Sequence, residues 1–210
     1  MKVDKVHVVG QDYLIHKMFS AAGYEMVETV NEADTLVFTG GADVPPEMYG
    51  EKNVAASCNP AREIREKKVY DKWVGVKNMI GICRGSQFLN VMNGGKLWQH
   101  VDNHGISGTH AVLDLESGKE HQCTSTHHQM MRTGPSSILV AVSAEDSGSG
   151  YSTVRVSSEG ARARADGEED VEVVWYPLSS SLCFQGHPEY DSEDCRKYFL
   201  GLVDKYYIGD

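Results

Sequence analysis

Two short stretches of the 210-residue sequence carry side chains whose types and spacing suit chemistry. The first is Met79-Ile80-Gly81-Ile82-Cys83-Arg84-Gly85-Ser86-Gln87, an apolar run that passes through Gly-x-Cys-x-Gly into a helix-like segment. A tight strand-to-helix turn of this kind lifts one side chain above a sheet, and glycines flank it because a Cβ there would meet neighbouring backbone. A thiol at that point feels the positive end of a helix dipole, which favours the thiolate. The backbone N–H of Arg84 is then free to help hold an oxyanion. The second stretch is Phe184-Gln185-Gly186-His187-Pro188-Glu189. Residues i and i+2 of an extended chain point to the same side, so Glu189 reaches one nitrogen of His187 and leaves the other for Cys83. Pro188 fixes φ between them. A nucleophile, a base and a group that orients the base form the general pattern of an activated thiol. Taken singly, the cysteine is equally compatible with a buried structural thiol, and the histidine with a surface turn. The combination carries the case.

The elements that must position these residues are short. Val6 to Val9, Thr35 to Phe38 and Met79 to Ile82 are apolar runs expected as buried strands. Tyr13 to Ala22, Glu63 to Val76 and Gln87 to Met92 carry helical spacing between or after them, with Gly23 as a stop. Short buried strands alternating with helices predict βα units and a parallel sheet. The second half changes character. Ala111 to Leu115, Ser137 to Val142, Tyr151 to Val156, Val171 to Trp175 and Ser181 to Phe184 are expected strands, and Glu193 to Tyr206 a closing helix. The stretches 143–150 and 157–170 are expected as exposed loops. The predicted fold is α/β, one domain over residues 1–210, with a mostly parallel central sheet flanked by helices and a smaller antiparallel β region.

Bulk composition narrows the function classes. A net charge of -10 argues against a phosphate-backbone partner, and the basic residues between Arg62 and Lys68 sit among glutamates as a solvated helix face. No apolar run approaches the ~18 residues of a membrane span. Five scattered cysteines without C-x-x-C suit a reducing compartment. With no apolar leader after Met1, a cytoplasmic location is the expectation.

Several motifs together resemble the class I glutamine amidotransferase-like superfamily, whose fold is flavodoxin-like, and are most similar to its γ-glutamyl hydrolase branch, peptidase family C26, which includes γ-glutamyl-γ-aminobutyrate hydrolases. They are Gly81-Ile82-Cys83-Arg84-Gly85 with His187-Pro188-Glu189, the glycine-rich segment from Thr39-Gly40-Gly41 to Tyr49-Gly50-Glu51, the run Gly94-Gly95-Lys96-Leu97-Trp98-Gln99-His100, and Ser125-Thr126-His127-His128-Gln129. Pro60 to Glu66 matches that branch's Arg-Asp-x-x-Glu helix start only in part. The resemblance implies catalysis through a γ-glutamyl thioester, an oxyanion hole from the Gly41 and Arg84 backbone amides, and a glutamyl pocket lined by Gln87, Ser125, His127, His128 and Gln129.

The expected reaction is cysteine-dependent hydrolysis of a γ-glutamyl amide, with a small γ-glutamyl compound or glutamine as substrate. The competing job is a glutaminase subunit that supplies ammonia to a separate synthetase. No cofactor is expected. Nine histidines raise metal binding as a rival, but no H-E-x-x-H or C-x-x-C spacing is present, so no metal ligands are assigned. A redox-sensing or chaperone-like protein would have no need of His187-Pro188-Glu189, and a non-catalytic relic would not keep all three positions filled. Glu47, Glu51 and Glu66 are expected mainly as solvated surface.

Overall fold

The computed structural model describes residues 4–144 and 151–208. The first half alternates strand and helix: β1 (Lys5–Val9), α1 (Tyr13–Ala21), β2 (Glu25–Met26), β3 (Thr35–Phe38), α2 (Pro60–Trp73), β4 (Asn78–Ile82) and α3 (Arg84–Met92). Asp12 caps α1 by accepting from the Leu14 and Ile15 amides, and Ile15, Met18 and Phe19 form its buried stripe. Asn59 caps α2, and Pro60 occupies its first turn, where a missing N–H costs nothing. The second half is mainly β: β5 (Lys96–Trp98), β6 (His100–Val101), β7 (Gly105–Asp114), β8 (Glu120–Thr126), β9 (Met130–Arg132), β10 (Ile138–Ser143), β11 (Val154–Ser157), β12 (Gly160–Ala163), β13 (Val171–Tyr176) and β14 (Ser181–Phe184), before α4 (Glu193–Val203).

A nine-stranded sheet runs β2-β1-β3-β4-β14-β13-β10-β7-β8. The strands β2, β1, β3, β4 and β14 are mutually parallel, and from β14 to β8 the pairing is antiparallel. This is the α/β architecture the sequence predicts. Two smaller sheets, β12-β11-β6 and β5-β9, lie beside it. The wholly buried runs β3 and β14 explain why these strands are continuously apolar rather than alternating. One core layer joins α1 and α4 to the sheet through the edge-to-face rings of Phe19, Phe199 and Phe184. The other joins α2 and α3 through Phe38, Tyr70 and Phe88. Among the described residues no helix is long and apolar enough to cross a membrane.

The structure departs from the sequence reading in several places, among them the short strands β2, β5, β6 and β9. The inward stripe of α2 is Glu63, Glu66 and Tyr70, while Ile64 is 58% exposed. The helix turns two carboxylates inward because Arg84 meets both of them there. Glu51 is likewise not solvated: its side chain pairs with Arg132 at 3.1 Å. Part of the expected loop 157–170 forms β12, and its last residue, Asp170, is fully buried. The polar strand β8 carried no period-2 apolar signal and was not anticipated; it is fixed by pairing with β7. The expected loop 143–150 falls largely outside the described residues.

Candidate active site

Three adjacent parallel strands deliver the site. Phe38 of β3 pairs with Gly81 of β4, and Ile82 of β4 pairs with Phe184 of β14. Their carboxyl ends therefore place the Thr39–Gly41 loop, Cys83 and the Gln185–Glu189 segment side by side, where ligands of open α/β sheets bind.

Cys83 has φ 51° and ψ -112°, a conformation that an L residue adopts only under strain of about 1–3 kcal/mol. Its neighbours hold it there. The Cys83 N–H donates to the Phe184 carbonyl at 2.8 Å, and its own carbonyl accepts from the Ser86 and Gln87 amides. The flanking glycines leave no room for a side chain. A Cβ on Gly81 would lie 2.5 Å from the Ser86 nitrogen, and one on Gly85 would lie 2.1 Å from the Phe38 oxygen.

His187 is fixed from three directions. Its amide donates to the Thr124 hydroxyl at 2.7 Å, its Nδ1 lies 2.6 Å from Glu189 Oε1, and the Tyr190 ring stacks parallel to it at 4.4 Å. The far side of the imidazole lies beside Cys83: a Cβ on Gly40 would sit 3.5 Å from His187 Nε2 and 3.8 Å from Cys83 Cβ. Burial would push its pKa down, but the interactions with Cys83 and Glu189 prevail and lift it to about 10. Cys83, His187 and Glu189 are each about 8% exposed, so the three groups meet in a largely dry cleft.

The glycine-rich loop is set by a residue the sequence reading assigned to solvent. Arg62 donates from Nη1 to the Gly40 carbonyl and from Nη2 to the Thr39 carbonyl, each at 2.7 Å, and from Nε to Glu66 Oε1 at 2.7 Å. In a trans peptide the carbonyl and the next N–H point in opposite directions. With the Gly40 carbonyl drawn toward Arg62, the Gly41 N–H faces away from it. The Arg84 side chain turns from the site into α2, where it pairs with Glu63 and Glu66, so only its backbone is left for the cleft. Burial pushes the Glu63 carboxyl up, against the pull of Arg84.

The five residues expected to line a pocket separate into two groups. Gln87 donates to the Gln129 carbonyl at 3.0 Å and to Gln185 Oε1 at 3.3 Å, and Gln185 Nε2 approaches Cys83 Sγ at 4.0 Å. The buried Gln129 side-chain amide has no partner among the described residues. His128 is half-buried, and the Asp43 carboxylate 3.0 Å from its Nε2 raises its pKa. Ser125 and His127 are spent inward instead: Ser125 Oγ donates to the His104 carbonyl, and His127 Nδ1 donates to the Gln129 carbonyl. Sequence reasoning missed Gly40, Arg62, Thr124, Gln185 and Tyr190. Gln185 and Tyr190 had a signal in their adjacency to His187, and Arg62 one in the partial Arg-Asp-x-x-Glu match; Thr124 had none, since it acts on a segment distant in sequence.

The family model described as peptidase C26 matches residues 15–158. The chain belongs to the peptidase C26 family. Among curated relatives, the provisionally named glutamine amidotransferase-like protein YvdE of Lactococcus lactis is 29% identical over 160 residues, covering 74% of this chain and 66% of that protein. This peptidase C26 chain thus spans just under two thirds of that relative's length. Its fold is shared with a glutamine amidotransferase of Thermotoga maritima, at TM-score 0.62 and 13% identity over 98% of this chain and 84% of the other. It is also shared with a protein of Thermoplasma acidophilum provisionally named as a GMP synthase subunit, at TM-score 0.66 and 16% identity over 98% and 96% of the two chains. The peptidase C26 match includes Cys83 and the glycine-rich loop and stops before His187 and Glu189.

Proposed function

We propose that this peptidase C26 protein hydrolyses a γ-glutamyl amide through a thioester on Cys83. The observation that carries the reading is the placement of one imidazole: Glu189 holds Nδ1 at 2.6 Å, while Nε2 of the same ring and Cys83 Cβ on the strained turn lie 3.5 and 3.8 Å from one point, the Cβ position of Gly40. Cys83 attacks the γ-carbonyl carbon as a thiolate, forming the C–S bond, and the negative oxygen is received by the Gly41 and Arg84 amides. Collapse breaks the C–N bond, and protonated His187 gives its proton to the leaving amine. His187 then takes a proton from water, which adds to the thioester carbon. The C–S bond breaks, glutamate leaves, and the proton returns to the Cys83–His187 pair. In this reading Gln87, Gln129 and His128 are the side chains that meet the glutamyl group.

The fold shared with a protein provisionally named as a GMP synthase subunit supports a second reading, in which glutamine is the substrate and the ammonia passes to a separate synthetase. A glutamate-release assay with free glutamine beside a panel of γ-glutamyl amides separates the two. Turnover of the amides with little glutaminase activity supports the stand-alone hydrolase. Slow glutamine hydrolysis alone supports the ammonia-donating role, and no release from either, with intact fold, overturns the γ-glutamyl assignment.

A further inference from the structure

Behind the candidate active site, in the antiparallel half of the sheet, lies a polar cluster that the proposed reaction does not use. His104, just before β7, His110 on β7, Glu172 on β13 and His127, just after β8, are each at least nine-tenths buried. Glu172 Oε1 stands 3.4 Å from His104 Nδ1, 3.5 Å from His110 Nε2 and 3.8 Å from His127 Nε2. These separations are long for hydrogen bonds. They are close to the roughly 3.3 Å expected between two ligand atoms of one tetrahedral ion with bonds of about 2.0–2.1 Å.

The opposite ring nitrogens are already committed. His104 Nε2 lies 2.9 Å from Asp170 Oδ2, His127 Nδ1 lies 2.9 Å from the Gln129 carbonyl, and His110 Nδ1 lies 3.3 Å from Ser143 Oγ. Asp170 is itself held by the Arg155 guanidinium and by Ser152 Oγ, the latter at 2.8 Å. Each imidazole therefore has its outer nitrogen engaged by a carboxylate, a carbonyl or a hydroxyl. That is how metal-binding histidines are oriented and their tautomers fixed. Among the described residues, His110 Nε2, His127 Nε2 and both Glu172 oxygens have no hydrogen-bond partner, and His104 Nδ1 meets, besides Glu172, Ser125 Oγ at 3.4 Å. Orphaned buried polar atoms converging on one point require a ligand there to offset their desolvation.

We propose that His104, His110 and Glu172 bind a divalent transition-metal ion, zinc foremost, with His127 Nε2 beside it. Two imidazoles and a carboxylate at these spacings suit zinc, and their complete burial fits a structural rather than a catalytic ion. The ligands come from β7, β13 and the segment before β7, which no sequence-local motif would reveal. An ion there would cross-link β7 and β13 beside the Ser125–Gln129 segment. The carbonyl of Gln129 in turn holds Gln87 in α3, the helix that Cys83 heads. The site stands or falls independently of which amide the protein cuts.

The test is calorimetric titration of chelator-treated full-length protein with zinc, joined to titration with cobalt(II) followed by visible absorption. Wild type is expected to bind one equivalent and to show the intense d–d bands of four-coordinate cobalt, with a raised Tm. The near-isosteric Glu172→Gln variant should lose affinity at least about 100-fold, whereas His100→Ala, at the exposed His100–His128 pair, should bind as wild type does. No stoichiometric binding by folded wild-type protein overturns the proposal. So does binding that survives Glu172→Gln and is lost in His100→Ala, or cobalt spectra of an octahedral, solvated ion. Because the readouts are binding, spectrum and Tm, they remain decisive if the γ-glutamyl assignment fails.

Discussion

Gly40 packs so closely on His187 that a Cβ on the glycine would lie 2.8 Å from imidazole Cε1. The ring has little freedom to retreat, since Glu189 holds its Nδ1 and Tyr190 covers its face. Gly40→Ala should therefore displace the imidazole from Cys83 without disturbing the core. A misplacement approaching 1 Å costs on the order of 10²-fold in rate. The expected outcome is a kcat loss of that size with an unchanged far-UV spectrum; wild-type kcat would show that the ring position is not critical.

Cys83→Ala should abolish turnover, and it should also reach His187. The native pKa of His187 is lifted to about 10 against an unfolded value of about 6.5. A raised histidine pKa stabilises the native state fully below the unfolded pKa, and that contribution is lost as pH rises through about 10. Removing the thiol deletes one of the two interactions that raise it. An NMR titration of the imidazole should show the native ring protonated through pH 9 and the variant ring titrating lower. An unmoved pKa in Cys83→Ala would break the link between the two residues.

Glu189→Gln keeps the side chain's shape but exchanges its charge for an amide at Nδ1. Orientation weakens while the nucleophile survives, so kcat should fall by on the order of 10²-fold, less than in Cys83→Ala, with KM little changed. Steady-state kinetics on the best γ-glutamyl substrate decide it. A loss equal to that of Cys83→Ala would give Glu189 more than a positioning role.

Arg84→Met tests the ion network beneath the site. It leaves Glu63 and Glu66 buried with one cation fewer, and breaking a buried pair on one side costs about 3–5 kcal/mol. Urea unfolding should register a loss of that order. Arg62→Ala removes a partly exposed cation and should cost less stability. Its effect should fall on kcat, because the Thr39 and Gly40 carbonyls lose the group that orients them.

Much of the site was legible because it is local. The glycines around Cys83 exclude a Cβ from backbone only a few residues away, and Glu189 reaches His187 across two positions of chain. Helix caps at Asp12, Asn59 and Ser192 likewise act within three residues. The parallel strands β1, β3 and β4 declared themselves as apolar runs because both of their faces are buried.

By itself, then, the sequence determined the strained cysteine turn, the histidine–glutamate pair and the alternation of strand and helix, since each depends on neighbours along the chain. Only the tertiary structure decided which strand lies beside which. The parallel pairing of β14 with β4 is what brings His187 to Cys83. The same level decided that Glu63 and Glu66 turn inward, because compensation for a buried charge comes from Arg84 on another helix. It also decided that histidines distant in sequence converge on Glu172. Periodicity records which face of an element is apolar, but a buried polar face is stabilised by partners that no local pattern encodes.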